Sequence, residues 1–215
     1  MQATAGIVVR LMAGALLAVC LVMAGGPRLA EAFLPVLRWA FVHLDSQDRV
    51  IELSINDTGV ISGNEQVYRL VVAPDKTVFV GDRLARTDPR GRAMVSVLIA
   101  YLWQAFVIAL PLALAWPVSR SIEWPIRLTC LALLLGVFAL LDLPLTLWAQ
   151  IWQSYVDAVA PGSFSALLIW ANFLQGGGRL LLGVVAAGLS VYVGRRVTNP
   201  YPNELYETTG DIERL

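Results

Sequence analysis

A chain of 215 residues with 57% hydrophobic content and a mean hydropathy of +0.66 is too apolar for an ordinary soluble domain. Its 16 basic and 16 acidic residues cancel, so the global positive charge of a nucleic-acid binder is missing and nucleic acid is not an expected partner. Cys20 and Cys130 both fall within apolar stretches and read as small buried hydrophobes rather than as a disulfide.

Residues 1–26 carry one charge, Arg10, followed by an apolar run to Gly26. With Ile7–Val9 included, and Arg10 reaching back to the membrane surface, the run is long enough to span. An uncleaved first transmembrane helix is the preferred reading, and a cleaved signal peptide is its rival. Gly25-Gly26-Pro27 is expected to end that helix. In the following stretch Leu29, Phe33, Val36, Leu37, Ala40, Phe41 and Leu44 recur at helical spacing. They predict either an interfacial helix on the outer leaflet, divided near Pro35, or the packed helix of a small outer domain.

From Arg49 the period shortens to two. Val50–Ile55, Val60-Ile61, Gln66–Ala73 and Thr77–Val80 read as short strands separated by turn residues. A sheet of three or four such strands is too small to hold a core alone and must lean on helices or a partner. Arg83–Arg92 reads as a polar connector, leading into a second span over Ala93–Trp116 and a third over Leu128–Trp148. Gln150–Ser165 reads as a loop with Trp152 and Tyr155 as interface markers. The last apolar stretch, Phe164–Val193, rises about 45 Å if wholly helical, too long for one upright crossing. Gly176, Gly177 and Gly178 offer a natural break.

Positive charges in short loops set the orientation. Arg120 and Arg127 mark one loop, Arg195 and Arg196 the C-terminal flank, while the 149–165 loop carries none. The expected architecture is membrane α-helical: four transmembrane helices with a small extracytoplasmic β-containing insert after the first helix. The parts are a first helix at 1–26, an extracytoplasmic segment at 27–92, a three-helix membrane region at 93–196 and a cytoplasmic tail at 197–215. Both termini are cytoplasmic. Fifteen arginines against one lysine fit a bacterial chain, and the location is then a bacterial inner membrane.

Three polar residues fall within the apolar spans. Asp142 lies fifteen residues beyond Arg127, Arg179 sixteen before Arg195, and Gln104 sixteen before Arg120. At the helical rise each is about 22–24 Å from the inner boundary, inside a hydrocarbon core about 30 Å thick. A charge at that depth costs several kcal/mol unless paired or wetted. Asp142, Arg179 and Gln104 are therefore expected to form an intramembrane polar layer. One reading makes it an ion pair fixing helix register; another makes it an ion- or proton-responsive site of a small transporter or ion-conducting subunit.

Catalytic chemistry finds little support. His43, the only histidine, and Cys130 fall on opposite sides of the bilayer, beyond hydrogen-bond reach. One histidine and two separated cysteines do not make a zinc site. No enzyme activity, cofactor or metal is expected.

The order of features (a first span, a short β-rich segment, then three spans with Asp142-x-Pro144 in the third and Trp170-x-Asn172-x-x-x-Gly176-Gly177-Gly178-Arg179 entering the fourth) resembles one family. It is similar to the small membrane proteins associated with exosortase H. The resemblance implies a non-catalytic accessory role in a protein-sorting system, with an exosortase as membrane-protein partner beside the lipid bilayer itself.

Overall fold

The computed structural model describes residues 2–44, 48–57, 66–74, 76–80, 83–85 and 91–198. In chain order the elements are α1 (Gln2–Leu44), β1 (Asp48–Asp57), β2 (Gln66–Pro74), β3 (Val78–Val80), β4 (Arg83–Ala85), β5 (Ala93–Leu98), α2 (Ala100–Ala115), α3 (Glu123–Val159), α4 (Ala166–Phe173) and α5 (Arg179–Thr198). Three helical stretches are long and apolar enough to cross a membrane: Ala5–Leu44, Glu123–Val159 and Ala166–Thr198. The expected strand at Val60-Ile61 and nearly all of the expected tail, 199–215, lie outside the described residues.

Three boundaries differ from the sequence reading. The first helix does not stop at Gly25-Gly26-Pro27; α1 continues for 43 residues with Pro27 and Pro35 inside it. Packing overrides the breakers. Gly26 sits against the Trp103 indole of α2, and Ala30, Leu37 and Phe41 are buried beneath the sheet. The stretch after Pro27 is therefore a packed helix, not one lying on a leaflet. The second span does not begin at Ala93, because Ala93–Leu98 is β5 and only the 16 residues of α2 are helical. The 150–165 loop is also shorter than expected. α3 runs on to Val159, with Ile151 and Val156 buried and Tyr155 donating to Asp48 Oδ1 at 2.9 Å.

The sheet has the order β1-β2-β5, antiparallel throughout, with β3 and β4 as a separate pair in which Val80 faces Arg83. On β2 the period of two is clean: Tyr68, Leu70 and Val72 are fully buried. On β1 the register slips between Val50 and Glu52, leaving Ile51 as the extra residue of a bulge. The slip has a purpose readable in the sequence. Val50 stands opposite Val72, Leu53 opposite Leu70 and Ile55 opposite Tyr68, and all three pack on the core. Without one extra residue, Val50 and Leu53 would face opposite sides.

Among the described residues the two larger apolar cores lie along the helices, and a small third cluster joins Val80 of β3 to Val156 of α3. The core at the sheet end joins Tyr68, Leu70, Val72, Val97 and Ile99 to Leu37 and Phe41 of α1 and to Leu143, Leu147 and Ile151 of α3. The far core joins Ala18, Ala109, Leu110, Ala113, Leu131, Ala186 and Ala187. Its small residues let backbones close up, as in helix packing within lipid. α2 is wrapped by α1, α3 and α5, and a Cβ on Gly183 of α5 would lie 2.6 Å from the Ala105 carbonyl oxygen of α2. The cysteines are in neither core: Cys20 is exposed on α1 and Cys130 only half-buried.

Tyr68 ties the sheet to α1 by donating to the Ala30 carbonyl at 3.0 Å, and burial pushes its phenol up to about 12. The neutral phenol is thus favoured by folding. Its contribution is complete below pH about 10, the usual tyrosine value, and is lost as pH rises through about 12. Tyr68 should titrate late in an ultraviolet difference titration; Tyr68→Phe should delete that step and cost about 1 kcal/mol in thermal unfolding. Gly183→Ala should cost about 1–3 kcal/mol, because the Ala105 backbone cannot withdraw as a side chain could; a melting temperature unchanged from wild type would show that α2 and α5 are not held in this contact.

Candidate functional site

α3 and α5 meet where the two cores join. Asp142, 8% exposed, and Arg179, 2% exposed, form a two-pronged ion pair there. Arg179 Nε donates to Asp142 Oδ2 at 2.6 Å and Nη2 donates to Oδ1 at 2.9 Å. Thr146, one turn along α3, donates to Asp142 Oδ1 at 3.0 Å and accepts from Arg179 Nη2 at 3.1 Å. The ring of Tyr101, at the start of α2, lies 4.1 Å from the guanidinium carbon. Charge-assisted bonds, a shared hydroxyl and a ring face together replace the water that both ions lost.

Local backbone explains why Arg179 can reach. α4 and α5 are separated by a π-helical turn, Leu174–Gly178, in which Gly177 has φ 110°. That conformation is open to glycine and strained for other residues. The turn of backbone at Gly177 starts α5 afresh at Arg179, with its side chain aimed at α3. Gly178 is buried, and a Cβ there would meet the Phe173 ring at 2.6 Å. Gly176 has open space around it. The break thus falls inside Gly176–Gly178, with Gly177 the residue that turns.

Gln104 does not join the pair. It is half-buried on α2, and no hydrogen bond connects it to Asp142 or Arg179. Its expected depth was counted along a helix to Arg120, but α2 ends at Ala115 and the intervening residues lack the helical rise. Tyr101, one turn earlier, takes the place over the guanidinium, and Thr146 supplies the remaining polar contact. Both were missed from sequence. Thr146 lies four residues beyond Asp142, a spacing that puts the two on one helix face; Tyr101 left no comparable signal.

A second network went unpredicted at the far end. Arg127, read as a charge marking the membrane edge, is fully buried. It is ion-paired to Glu123, also fully buried, at helical i,i+4 spacing. Its guanidinium also donates to the Ala113, Trp116 and Pro117 carbonyls at 3.3, 2.9 and 3.0 Å. Those oxygens lie at the C-terminal end of α2, where a helix leaves acceptors unpaired. Glu123 Oε2 accepts from the Ser119 amide at 2.9 Å, and Gly194 of α5 leaves the space that the Arg127 stem occupies. The Glu-x-x-x-Arg spacing was the available clue.

No family model, curated protein or solved structure matches this chain. The chemistry of the site must be read from its geometry. Both Asp142 oxygens already accept hydrogen bonds, so the carboxylate is occupied and poorly placed to act as a base. The cavity beside it, about 30 Å³ and lined by Tyr101, Phe138 and Leu182 among others, has room for about one water. Among the described residues no group of three His, Cys, Asp or Glu side chains could hold a metal ion. His43 is exposed at the end of α1, its Nδ1 2.8 Å from the Trp39 carbonyl.

Asp142→Ala or Arg179→Ala alone should cost about 3–5 kcal/mol, since either leaves an uncompensated buried charge. Asp142→Leu combined with Arg179→Met should cost far less than the sum of the single changes. Additive losses in thermal unfolding would show that the two residues are not coupled. The exchange Asp142→Arg with Arg179→Asp should recover only part of the loss, because Thr146 and Tyr101 are placed for a guanidinium arriving from α5.

Proposed function

We propose that the chain is a non-catalytic, integral inner-membrane accessory protein that crosses four times and presents its sheet outside the lipid. The exposed surface supports this placement. On α1 it is apolar from Leu11 to Met23, bounded by Arg10 at one end and turning charged at Arg28 and Glu31 at the other. On α3 it is apolar from Leu128 to Leu141 and turns polar at Gln153, Ser154 and Asp157. On α5 it is apolar from Leu180 to Tyr192 and ends at Arg195 and Arg196. An apolar belt therefore runs between the Asp142–Arg179 level and the Glu123–Arg127 level. The nineteen-residue interval from Glu123 to Asp142 rises about 28 Å, close to a hydrocarbon core of about 30 Å.

α2 supplies the fourth crossing. Its 16 residues rise only about 24 Å, but it is wrapped by other helices and need not match the lipid around it. Arginines at the Arg120, Arg195 and Arg196 end favour a cytoplasmic assignment for that face and for both termini.

The observation that carries the accessory role is α4. Ile169, Trp170 and Phe173 are exposed beside the exposed Asn172 and Gln175, and Phe164 just before the helix is 85% exposed. This apolar face belongs to the stretch on the sheet side of Arg179, and such patches mark protein or membrane contacts. A membrane-protein partner covers it in this reading; on the resemblance set out above, that partner is an exosortase-type sorting enzyme. The small cavity and the three hydrogen bonds already made to the Asp142 carboxylate favour a structural pair over a transport site.

Under native expression in mild detergent, a membrane partner should co-purify with the chain. Ile169→Ser, Trp170→Ser and Phe173→Ser together should lower its recovery at least about tenfold while leaving the melting temperature of the chain within a few degrees. A chain recovered alone would overturn the accessory role. Undiminished recovery with the triple variant would move the contact away from α4.

A further inference from the structure

The far end of the bundle carries a further feature beside the Glu123–Arg127 network. A cleft of about 470 Å³ opens between α1 and the α2–α3 loop, with Arg10, Ser119, Arg120, Ser121 and Trp124 on its rim. Its wall is apolar, formed by Ala13, Leu17 and Leu114. A second cleft of about 290 Å³ shares Ser119 and Arg120 and adds Arg195. Arg195 also borders a third, almost wholly apolar groove of about 370 Å³ between α2 and α5. The three clefts are thus joined through two arginines around the end of α2.

Charge and depth point to one class of occupant. Arg10 is exposed on α1 with exposed Ile7, Val8, Val9, Leu11 and Met12 on either side, and no ion pair or hydrogen bond engages it among the described residues. A guanidinium in that position requires an anion or headgroup water. Arg120 spends one donor on the Thr198 carbonyl at 3.0 Å and keeps the rest. Among the described residues no carboxylate lines any of the three clefts; Glu123 is turned inward to Arg127 and the Ser119 amide.

We propose that these clefts hold an anionic glycerophospholipid of the inner leaflet. Its phosphodiester lies between Arg10 and Arg120 with the Ser119 and Ser121 hydroxyls as donors. Its acyl chains lie along Leu17 and Leu114. Basic pockets between transmembrane helices on the cytoplasmic side are suited to such headgroups. A guanidinium makes two parallel bonds to a phosphate, and Trp124 is placed as an interfacial tryptophan. The proposal rests on the four-crossing reading above.

The test uses the full chain in nanodiscs of equal phosphatidylglycerol and phosphatidylcholine, with retained lipid counted by native mass spectrometry after release into detergent. Phosphatidylglycerol should be retained about tenfold over phosphatidylcholine, the ratio that about 1.4 kcal/mol of preference gives. Arg10→Gln should bring that ratio near the input mixture while leaving the melting temperature in lipid-free detergent unchanged, since no hydrogen bond or ion pair engages Arg10 among the described residues. Arg10→Lys should keep most of the preference. Equal retention by the wild type, or indifference to Arg10→Gln, would overturn the site. Displacement by millimolar glycerol phosphate would overturn the lipid assignment in favour of a soluble phosphate. A chain that stays dispersed in buffer without detergent would overturn the membrane reading and the lipid site together.

Discussion

The pairing of Asp142 with Arg179 holds three helices and the sheet in one arrangement. Two ions taken out of water cost several kcal/mol each, and their attraction repays this only with good geometry and further hydrogen bonds. Here both conditions are met, by the two-pronged contact and by Thr146 and Tyr101. An apolar pair of similar volume could be as stable, so stability alone does not account for the ions. What the ions add is discrimination. Leucines tolerate a sliding or rotated neighbour, whereas a guanidinium one turn out of register leaves a buried carboxylate bare.

Position gives that discrimination its reach. On one side of the pair lie the alanine-rich contacts of α1, α2, α3 and α5; on the other lie Leu143 and Leu147 under the sheet. α3 passes through both regions without a break. The Glu123–Arg127 network at the other end closes α2 by capping its last carbonyls. α2 is therefore fixed at both ends by arginines that belong to other helices. Gly183 lets α5 close on its middle, where no polar contact is needed.

Sequence reading reached the apolar class, the strands of β1 and β2, the helix break at the glycines and the meeting of Asp142 with Arg179. These rest on periodicity, on glycine backbone freedom and on the cost of an isolated charge, all local or one-dimensional arguments. It failed where contacts distant in sequence decide. Gly25-Gly26-Pro27 would break an isolated helix, but packing against Trp103 and the sheet keeps it helical. Ala93–Leu98 is apolar enough to continue a span, yet β2 offers it a hydrogen-bonding edge. Arg127 looked like a boundary charge because its partners, the free carbonyls ending α2, cannot be seen until that helix's end is known. Gln104 was misplaced by the same unseen helix end.

Between β5 and α2 stands Ile99 alone. Its amide donates to the Gln66 carbonyl of β2 at 3.0 Å, and its own carbonyl accepts from Leu102 of α2 at 3.0 Å. Strand and helix are thus fastened through consecutive peptide groups, with no slack between them. One added residue would swing α2 by about 100° about its axis and carry the Tyr101 ring away from the guanidinium. The sheet is consequently no detachable module: grafting another domain at this junction would have to keep the joint to the residue, and the two halves of the molecule can drift in sequence only together.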